Sequence, residues 1–414
     1  MGGGLLQLVA YGAQDAYISG NPQITFFKSL YKRHTNFAME AFRVNFNGQA
    51  AWGVKNSAVL GRHADLMGAT YLEVVLAEGT YNNDVGRIGF NLLRHVELEI
   101  GGQLIDRLYG EFIHLWSEMT LPYDKRAELD MMVGGGTSAG SQVMGGLRSC
   151  NLGSGRPSIP NNVLYIPLPF FYTKNPGVAL PLIALQYHEV RINVLWNDVE
   201  FIAGNFRDSV PAPLEAALYV DYIYLDTEER RRMAQQSHEY LIEQTQFNED
   251  KGVSSYSNRI DLTFNHPVKE LIWVVQPSYY TNCNIAKGRN EPRLQPFTYG
   301  GNDVFEQLIQ INGQDRMDKR YGNYFSSVQN FQHHSGQKPG PSVYSYSFAL
   351  KPEEHQPSGT CNFSRIDTAT LVLTISGGVT VDPDTDLTYN IRVYAINYNI
   401  LRIMSGMGGL AYSN

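Results

Sequence analysis

Residues 100–110 read IGGQLIDRLYG, and residues 311–322 read INGQDRMDKRYG. The first follows His95-Val96-Glu97-Leu98-Glu99-Ile100, whose polar–apolar alternation marks a half-buried strand. Gly101-Gly102 and Asn312-Gly313 are dipeptides of the kind that close tight two-residue hairpins. The likeness continues past the turn. The first copy is followed by YIPLPFFY (165–172), a Pro-Gly loop at Pro176-Gly177, HEVRINVLW (188–196) and LYVDYIYLD (218–226). The second is followed by VYSYSFAL (343–350), a loop at Pro357–Gly359, ATLVLTI (369–375) and RVYAINYNI (392–400). Strand-like segments recurring in one order over such a span predict duplication of a whole domain, not a short solenoid repeat.

The copies differ in spacing. Gly110 lies 60 residues before Phe170, whereas Gly322 lies 26 before Phe348. The first copy therefore carries extra chain, and that interval holds GGGTSAGSQVMGGLRSCNLGSGRPSIPNN (134–162). Glycine loses more freedom on ordering than any other residue, so this composition predicts a long exposed loop over 124–162. Between the copies, DTEERRRMAQQS (226–237) has Asp226 or Thr227 to cap and Glu228 and Glu229 for a positive helix start. It reads as a linker helix over 227–237. Near the N-terminus, Asn21 and Pro22 suit a helix start, and Ile24, Phe27, Leu30 and Tyr31 then follow at helical spacing. That predicts a short amphipathic helix. The divisions are an arm at 1–40, a first β domain at 41–226, the linker at 227–237 and a second β domain at 238–414.

The chain has 414 residues, is 43% apolar and carries a net charge of −7. Length and apolar content allow two sizeable cores. Nucleic-acid wrapping favours basic surfaces, because binding releases counterions from phosphate. The acidic balance and the lack of a Lys/Arg tract therefore argue against direct genome packaging. Cys150, Cys283 and Cys361 are too few and too scattered for a disulfide framework or a zinc pattern, which fits a reducing compartment. No signal-peptide pattern opens the sequence and no apolar run reaches spanning length.

Motifs with catalytic connotations fail on context. Gly136-Thr137-Ser138-Ala139-Gly140 matches a nucleophile elbow but sits in the Gly/Ser loop without a strand and helix around it. Asp382, Asp384 and Asp386 alternate like a calcium loop, but Leu387 stands where Gly is needed and Val393 where Glu is needed. His188-Glu189, His333-His334 and Glu353-Glu354-His355 would be the ligands of a bicupin metalloenzyme. They share no ligand spacing between the copies, so they read as surface or loop residues. A lectin-like module is the other alternative, since jelly rolls often bind glycans. Asn362-Phe363-Ser364 is a glycosylation sequon, which makes Asn362 a modification candidate. Its place at the start of an expected strand, without a secretion signal, weighs against conventional glycosylation.

Longer blocks carry more information. GGLLQLVAYGAQDAYISGNPQITFFKSLYKRHTNFAME (3–40), PGVALPLIALQYHEV (176–190), HEYLIEQTQF (238–247), QPSGTCNFSRIDTATL (356–371) and NILRIMSGMGGLAY (399–412) closely resemble the major capsid proteins of large nucleocytoplasmic DNA viruses, in the chlorella-virus and mimivirus lineage. The resemblance runs end to end, with departures in the loops at 124–162 and around 277–302. It implies a mostly β chain of two tandem eight-stranded jelly-roll sandwiches with short helices. It also implies a pseudo-hexagonal homotrimer tiling the outer icosahedral capsid of a virion assembled in host cytoplasm. Partners would then be neighbouring capsomers, minor capsid proteins and an inner membrane, with no cofactor, no metal, no catalysis and no direct nucleic acid. The 124–162 loop matches the family's outward loops. The arm residues Phe26, Phe27, Lys28, Lys32 and Arg33 would face inward, toward minor capsid proteins or anionic lipid.

Overall fold

The computed structural model describes residues 2–76, 87–134, 148–149, 163–198, 215–278, 293–294, 304–337, 340–375 and 388–413, with only the backbone at 148–149 and 293–294. Its contacts divide the chain into two units, Met1–Asn36 and Phe37–Asn414. The larger unit is built from two series of eight strands. The first is β1 (Phe37–Asn45), β2 (Lys55–Leu60), β3 (Leu66–Val75), β4 (Leu93–Ile100), β5 (Gln103–Tyr109), β6 (Val163–Pro167), β7 (Val190–Trp196) and β8 (Glu215–Leu225). These pair antiparallel in two sheets, β1-β8-β3-β6 and β2-β7-β4-β5. The second is β9 (His238–Val253), β10 (Ser257–Asp261), β11 (Pro267–Pro277), β12 (Val304–Ile311), β13 (Gln314–Asp315), β14 (Val343–Ser347), β15 (Ala369–Ile375) and β16 (Tyr389–Met404). Its sheets are β9-β16-β11-β14 and β10-β15-β12-β13. The neighbour pattern is the same in both, first beside eighth beside third beside sixth, and second beside seventh beside fourth beside fifth. That is the jelly-roll order, and it occurs twice.

Alternation explains the cores. Val96, Leu98 and Ile100 of β4 meet Ile192, Val194 and Trp196 of β7 in one core. Leu271, Trp273 and Val275 of β11 meet Leu371, Leu373 and Ile391 in the other. Each core holds a fully buried indole whose N–H is satisfied, Trp196 Nε1 by Asn56 Oδ1 and Trp273 Nε1 by Gln307 Oε1, both at 2.8 Å.

The repeated turn closes the β4–β5 and β12–β13 hairpins. Ile100 pairs with Gln103 and Ile311 with Gln314. Gly101 and Gly102 have φ of +58° and +83°, and Asn312 and Gly313 have +50° and +75°. Two successive positive φ values give the primed turn that matches strand twist, which Gly and Asn adopt most easily. The same backbone bond anchors both turns: Gly101 N–H donates to Glu189 O at 2.9 Å, and Asn312 N–H to Thr368 O at 2.7 Å. The closing Tyr-Gly of each motif is also conserved in function. A Cβ on Gly110 would lie 2.3 Å from the Leu93 and Phe90 carbonyl oxygens, and one on Gly322 would lie 2.4 Å from Val304 O. In both copies the chain passes so close to the start of the fourth strand that only glycine fits.

Several expectations need correction. The amphipathic helix expected from Pro22 onward is absent. The smaller unit has helices α1 (Gly3–Val9) and α2 (Asp15–Ser19) instead, and residues 21–36 are irregular. Asn21 has φ +52°, outside the extended geometry of an N-cap. Thr25, Phe26 and Phe27 are weak helix formers, and the unit has no buried residue to reward an apolar stripe. The expected loop at 124–162 also begins later. A turn at Tyr123–Lys125 leads into a helix at Arg126–Met132, with Leu129 and Val133 in the core and Gly134 at φ +76° ending it. Ala, Glu, Leu and Met are strong helix formers, and they outweighed the Gly-rich tail. The rest of that loop lies outside the described residues, except that the Arg148–Ser149 backbone pairs with Arg293–Leu294. YIPLPFFY is a strand only to Pro167, because Pro167 and Pro169 cannot donate to a ladder. The linker forms helix Thr227–Gln235, with Asp226 at the cap position but no side-chain capping bond. Among the described residues no helix is long and apolar enough to cross a membrane.

Candidate functional site

The enzymatic candidates do not converge. Among the described residues no group of His, Cys, Asp and Glu has metal-holding geometry. His188 Nδ1 lies 3.0 Å from Gly408 O, and His333 Nδ1 lies 3.1 Å from Leu350 O. The imidazole of His334, expected at the surface, is buried between Glu270 and Glu353. Gly136–Gly140 and Asp382, Asp384 and Asp386 lie outside the described residues. Asn362 is exposed, and its Oδ1 accepts from Ser364 N–H at 3.0 Å in a local turn. Phe26, Phe27, Lys28, Lys32 and Arg33 lie in the irregular part of the smaller unit.

The built feature of the larger unit is the junction between its sandwiches. The first sandwich lays β5 and helix α3 (Gly110–Thr120) against the outer face of the sheet containing β9, β16 and β11. Ile242, Ile272, Val274, Tyr394 and Ile396 of that face join the first sandwich's apolar cluster. Polar groups interlock around them. Arg392 on β16 donates from Nε to Glu111 Oε2 at 2.5 Å and from Nη2 to Glu111 Oε1 at 2.7 Å. Tyr394 OH donates to the same carboxylate at 2.7 Å, and Gln276 Oε1 takes another Arg392 N–H at 2.7 Å. Glu111 and Arg392 are only 8% and 9% exposed. Lys174 Nζ lies 2.9 Å from Glu243 Oε2, and Lys269 pairs with the other Glu243 oxygen. Burial opposes ionisation of Glu243, but the two ammonium groups hold its carboxyl down at about 2. Asp106, inside the opening motif, accepts Thr245 N–H at 2.9 Å across the junction. Burial pushes its carboxyl up to about 7 against that bond and the pull of Lys174.

Duplication makes the uncovered surfaces informative. The second sandwich has its own counterpart edge, where the short strand Arg320–Tyr321 follows β13, and its own following helix, Gln329–His333; among the described residues both present exposed apolar side chains. There Phe305, Tyr321, Val328 and Phe331 are exposed, Tyr321 by 63% and Phe331 by 88%. The first sandwich likewise has its own β1-β8-β3 sheet, where Phe37 and Met39 are 56% and 55% exposed at one end and Tyr165 packs edge-on to Tyr219 toward the other. Sequence patterning missed the junction. Glu111 and Arg392 are 281 residues apart, and nothing local marks either as buried.

A family model described as large eukaryotic DNA virus major capsid protein matches residues 229–409, and one described as major capsid protein N-terminus matches residues 25–226. The chain is 46% identical to the major capsid protein of Pyramimonas orientalis virus, covering 100% of each chain. It is 41% identical to that of Paramecium bursaria Chlorella virus 1, again over 100% of each. Among solved structures it is similar to PBCV-1 VP54, as fitted into a cryo-EM reconstruction of the virophage Sputnik. The identity is 37% and the TM-score 0.76, over 94% of this chain and 100% of that one. Two jelly rolls, full-length relatives and a solved capsid neighbour agree: this chain belongs to the major capsid proteins of large eukaryotic DNA viruses and is a structural protein of the capsid.

Proposed function

We propose that three copies of this chain close head to tail into a pseudo-hexagonal ring of six jelly rolls, and that these rings tile the outer capsid. The carrying observation is the asymmetry of cover. Within one chain the fifth strand and helix of one sandwich bury the outer sheet face of the next. Among the described residues that leaves one exposed edge, with Tyr321 and Phe331, and one exposed face, with Met39 and Tyr165. A surface of each kind on one chain makes a heterologous contact, which closes into a ring when the rotation per step permits. Six near-equivalent sandwiches around one axis need three chains. Light scattering after size exclusion should then give about three times 46.5 kDa. Tyr321→Asp with Phe331→Asp should give 46.5 kDa with unchanged circular dichroism. A wild-type monomer, or a double variant that stays trimeric, overturns the reading.

The ring is a structural part without catalysis, added to virions in host cytoplasm. The arm contacts the layer beneath: Lys28, Lys32 and Arg33 supply positive charge and Phe26 and Phe27 aromatic rings, a combination suited to minor capsid proteins or anionic lipid headgroups. Deleting residues 1–36 should leave trimers intact and abolish shell assembly. Normal shells from the truncated chain would remove the arm from that role. Asn362 is an exposed candidate for glycan attachment, readable by mass spectrometry of virion protein.

A further inference from the structure

The two sandwiches meet a second time, at the far end of α3. The last four carbonyls of a helix have no partner within it. Here Ser117 O accepts Leu121 N–H at 3.1 Å, and the other three are met by the second sandwich. Gln337 N–H donates to Glu118 O at 3.0 Å, Gly336 N–H donates to Met119 O at 2.7 Å, and Ser335 Oγ lies 2.9 Å from Thr120 O. A Cβ on Gly336 would sit 2.3 Å from Glu118 O, so the approach is as close as backbone allows. Residues 335–337 are thus a strap that caps a helix of the other domain.

His334 roots the strap. Its Nε2 is 2.6 Å from Glu270 Oε1 and its Nδ1 is 3.2 Å from Glu353 Oε1, with the imidazole wholly buried and edge-on to Trp116. Each ring nitrogen faces a carboxylate oxygen, an arrangement that suits an imidazolium, which donates from both nitrogens. Glu353 also holds the strap directly, accepting Ser335 N–H at 2.8 Å. Other charged groups face this region: Arg126 Nη1 donates to Gln337 Oε1 at 2.9 Å while pairing with Glu118 at 2.6 Å, and Lys174 and Lys269 have Nζ 4.7 and 5.6 Å from the Trp116 ring centre. The imidazolium also lies beside the negative end of α3, which favours a cation.

We propose that His334–Gln337 is a proton-dependent latch between the two jelly rolls, shut while His334 is an imidazolium and released when it loses its proton. Burial alone would disfavour the charge, but Glu270 and Glu353 raise the imidazole to about 9. A folded value above the ordinary 6.5 gives stability that is full below about pH 6.5 and is lost as pH rises through about 9. The latch therefore holds through mild acid and opens in alkali, the reverse of an acid-triggered switch.

Hydrogen–deuterium exchange on the full-length protein, corrected for intrinsic base catalysis, reads the strap through the Gly336 and Gln337 amides. Opening should rise about tenfold per pH unit between about pH 6.5 and 9, while peptides from Ile391–Ala395 do not follow. His334→Gln should open the strap already at pH 6 and flatten that slope. Glu353→Gln keeps the Glu270 pair and should move the rise to lower pH. A slope unchanged in His334→Gln, or wild-type strap protection at pH 6 in that variant, overturns the proposal. Should His334→Gln fail to fold, an unmoved midpoint in Glu353→Gln overturns it equally.

Discussion

Arg392→Met should destabilise the protein by about 3–5 kcal/mol, the usual cost of leaving one partner of a buried ion pair uncompensated. Arg392 makes two hydrogen bonds to Glu111, and with both residues about nine-tenths buried, water cannot replace the guanidinium. The Tyr394 hydroxyl, a neutral donor to Glu111, does not replace the charge of the lost guanidinium. Removing both charges should be much milder. Arg392→Met combined with Glu111→Leu should recover most of the loss, because apolar groups of similar volume avoid the desolvation cost. Urea denaturation of the wild type, the single variant and the double variant at one protein concentration measures this, since assembly makes stability concentration-dependent. A single variant that loses under about 1 kcal/mol would show that the pair is not a fastener of the junction.

The second large effect separates two kinds of glycine in one motif. Gly102 and Gly313 have φ of +83° and +75°, but an added Cβ would meet nothing within 4 Å. Alanine there should cost only the left-handed backbone term, about 1 kcal/mol. Gly110 and Gly322 have ordinary φ but backbone carbonyls 2.3–2.4 Å from the virtual Cβ. No rotamer change relieves a clash with backbone, so Gly110→Ala and Gly322→Ala should each cost about 3 kcal/mol or more, at or beyond the upper end for overpacking. Thermal melts of the four alanine variants give the comparison. Equal losses at Gly102 and Gly110 would refute the close-approach account.

These predictions show how unevenly the structure was legible. The hairpins were plain from Gly101-Gly102 and Asn312-Gly313, because a two-residue turn is a local object with local chemistry. The doubled domain followed from spacing and strand order, which need only period-two alternation and punctuation. The Pro22 helix was misread because helical spacing of apolar residues says nothing about whether a surface exists to bury them. His334 was misread for the opposite reason: a polar residue in a polar stretch gives no sign that carboxylates from β11 and the 353 region will close around it.

Sequence alone determined the strand pattern, the two-copy architecture, the primed turns and, through long matching blocks, the family. All of these rest on interactions between residues close in the chain, or on similarity read along it. Only the tertiary structure decided how the copies are joined: which sheet face is covered, which is left open, and where buried charge is spent in joining them. Glu111 with Arg392, Asp106 with Thr245 and the strap on α3 bring together groups at least 139 residues apart. Their burial depends on how two sandwiches pack, and a one-dimensional pattern does not encode that packing.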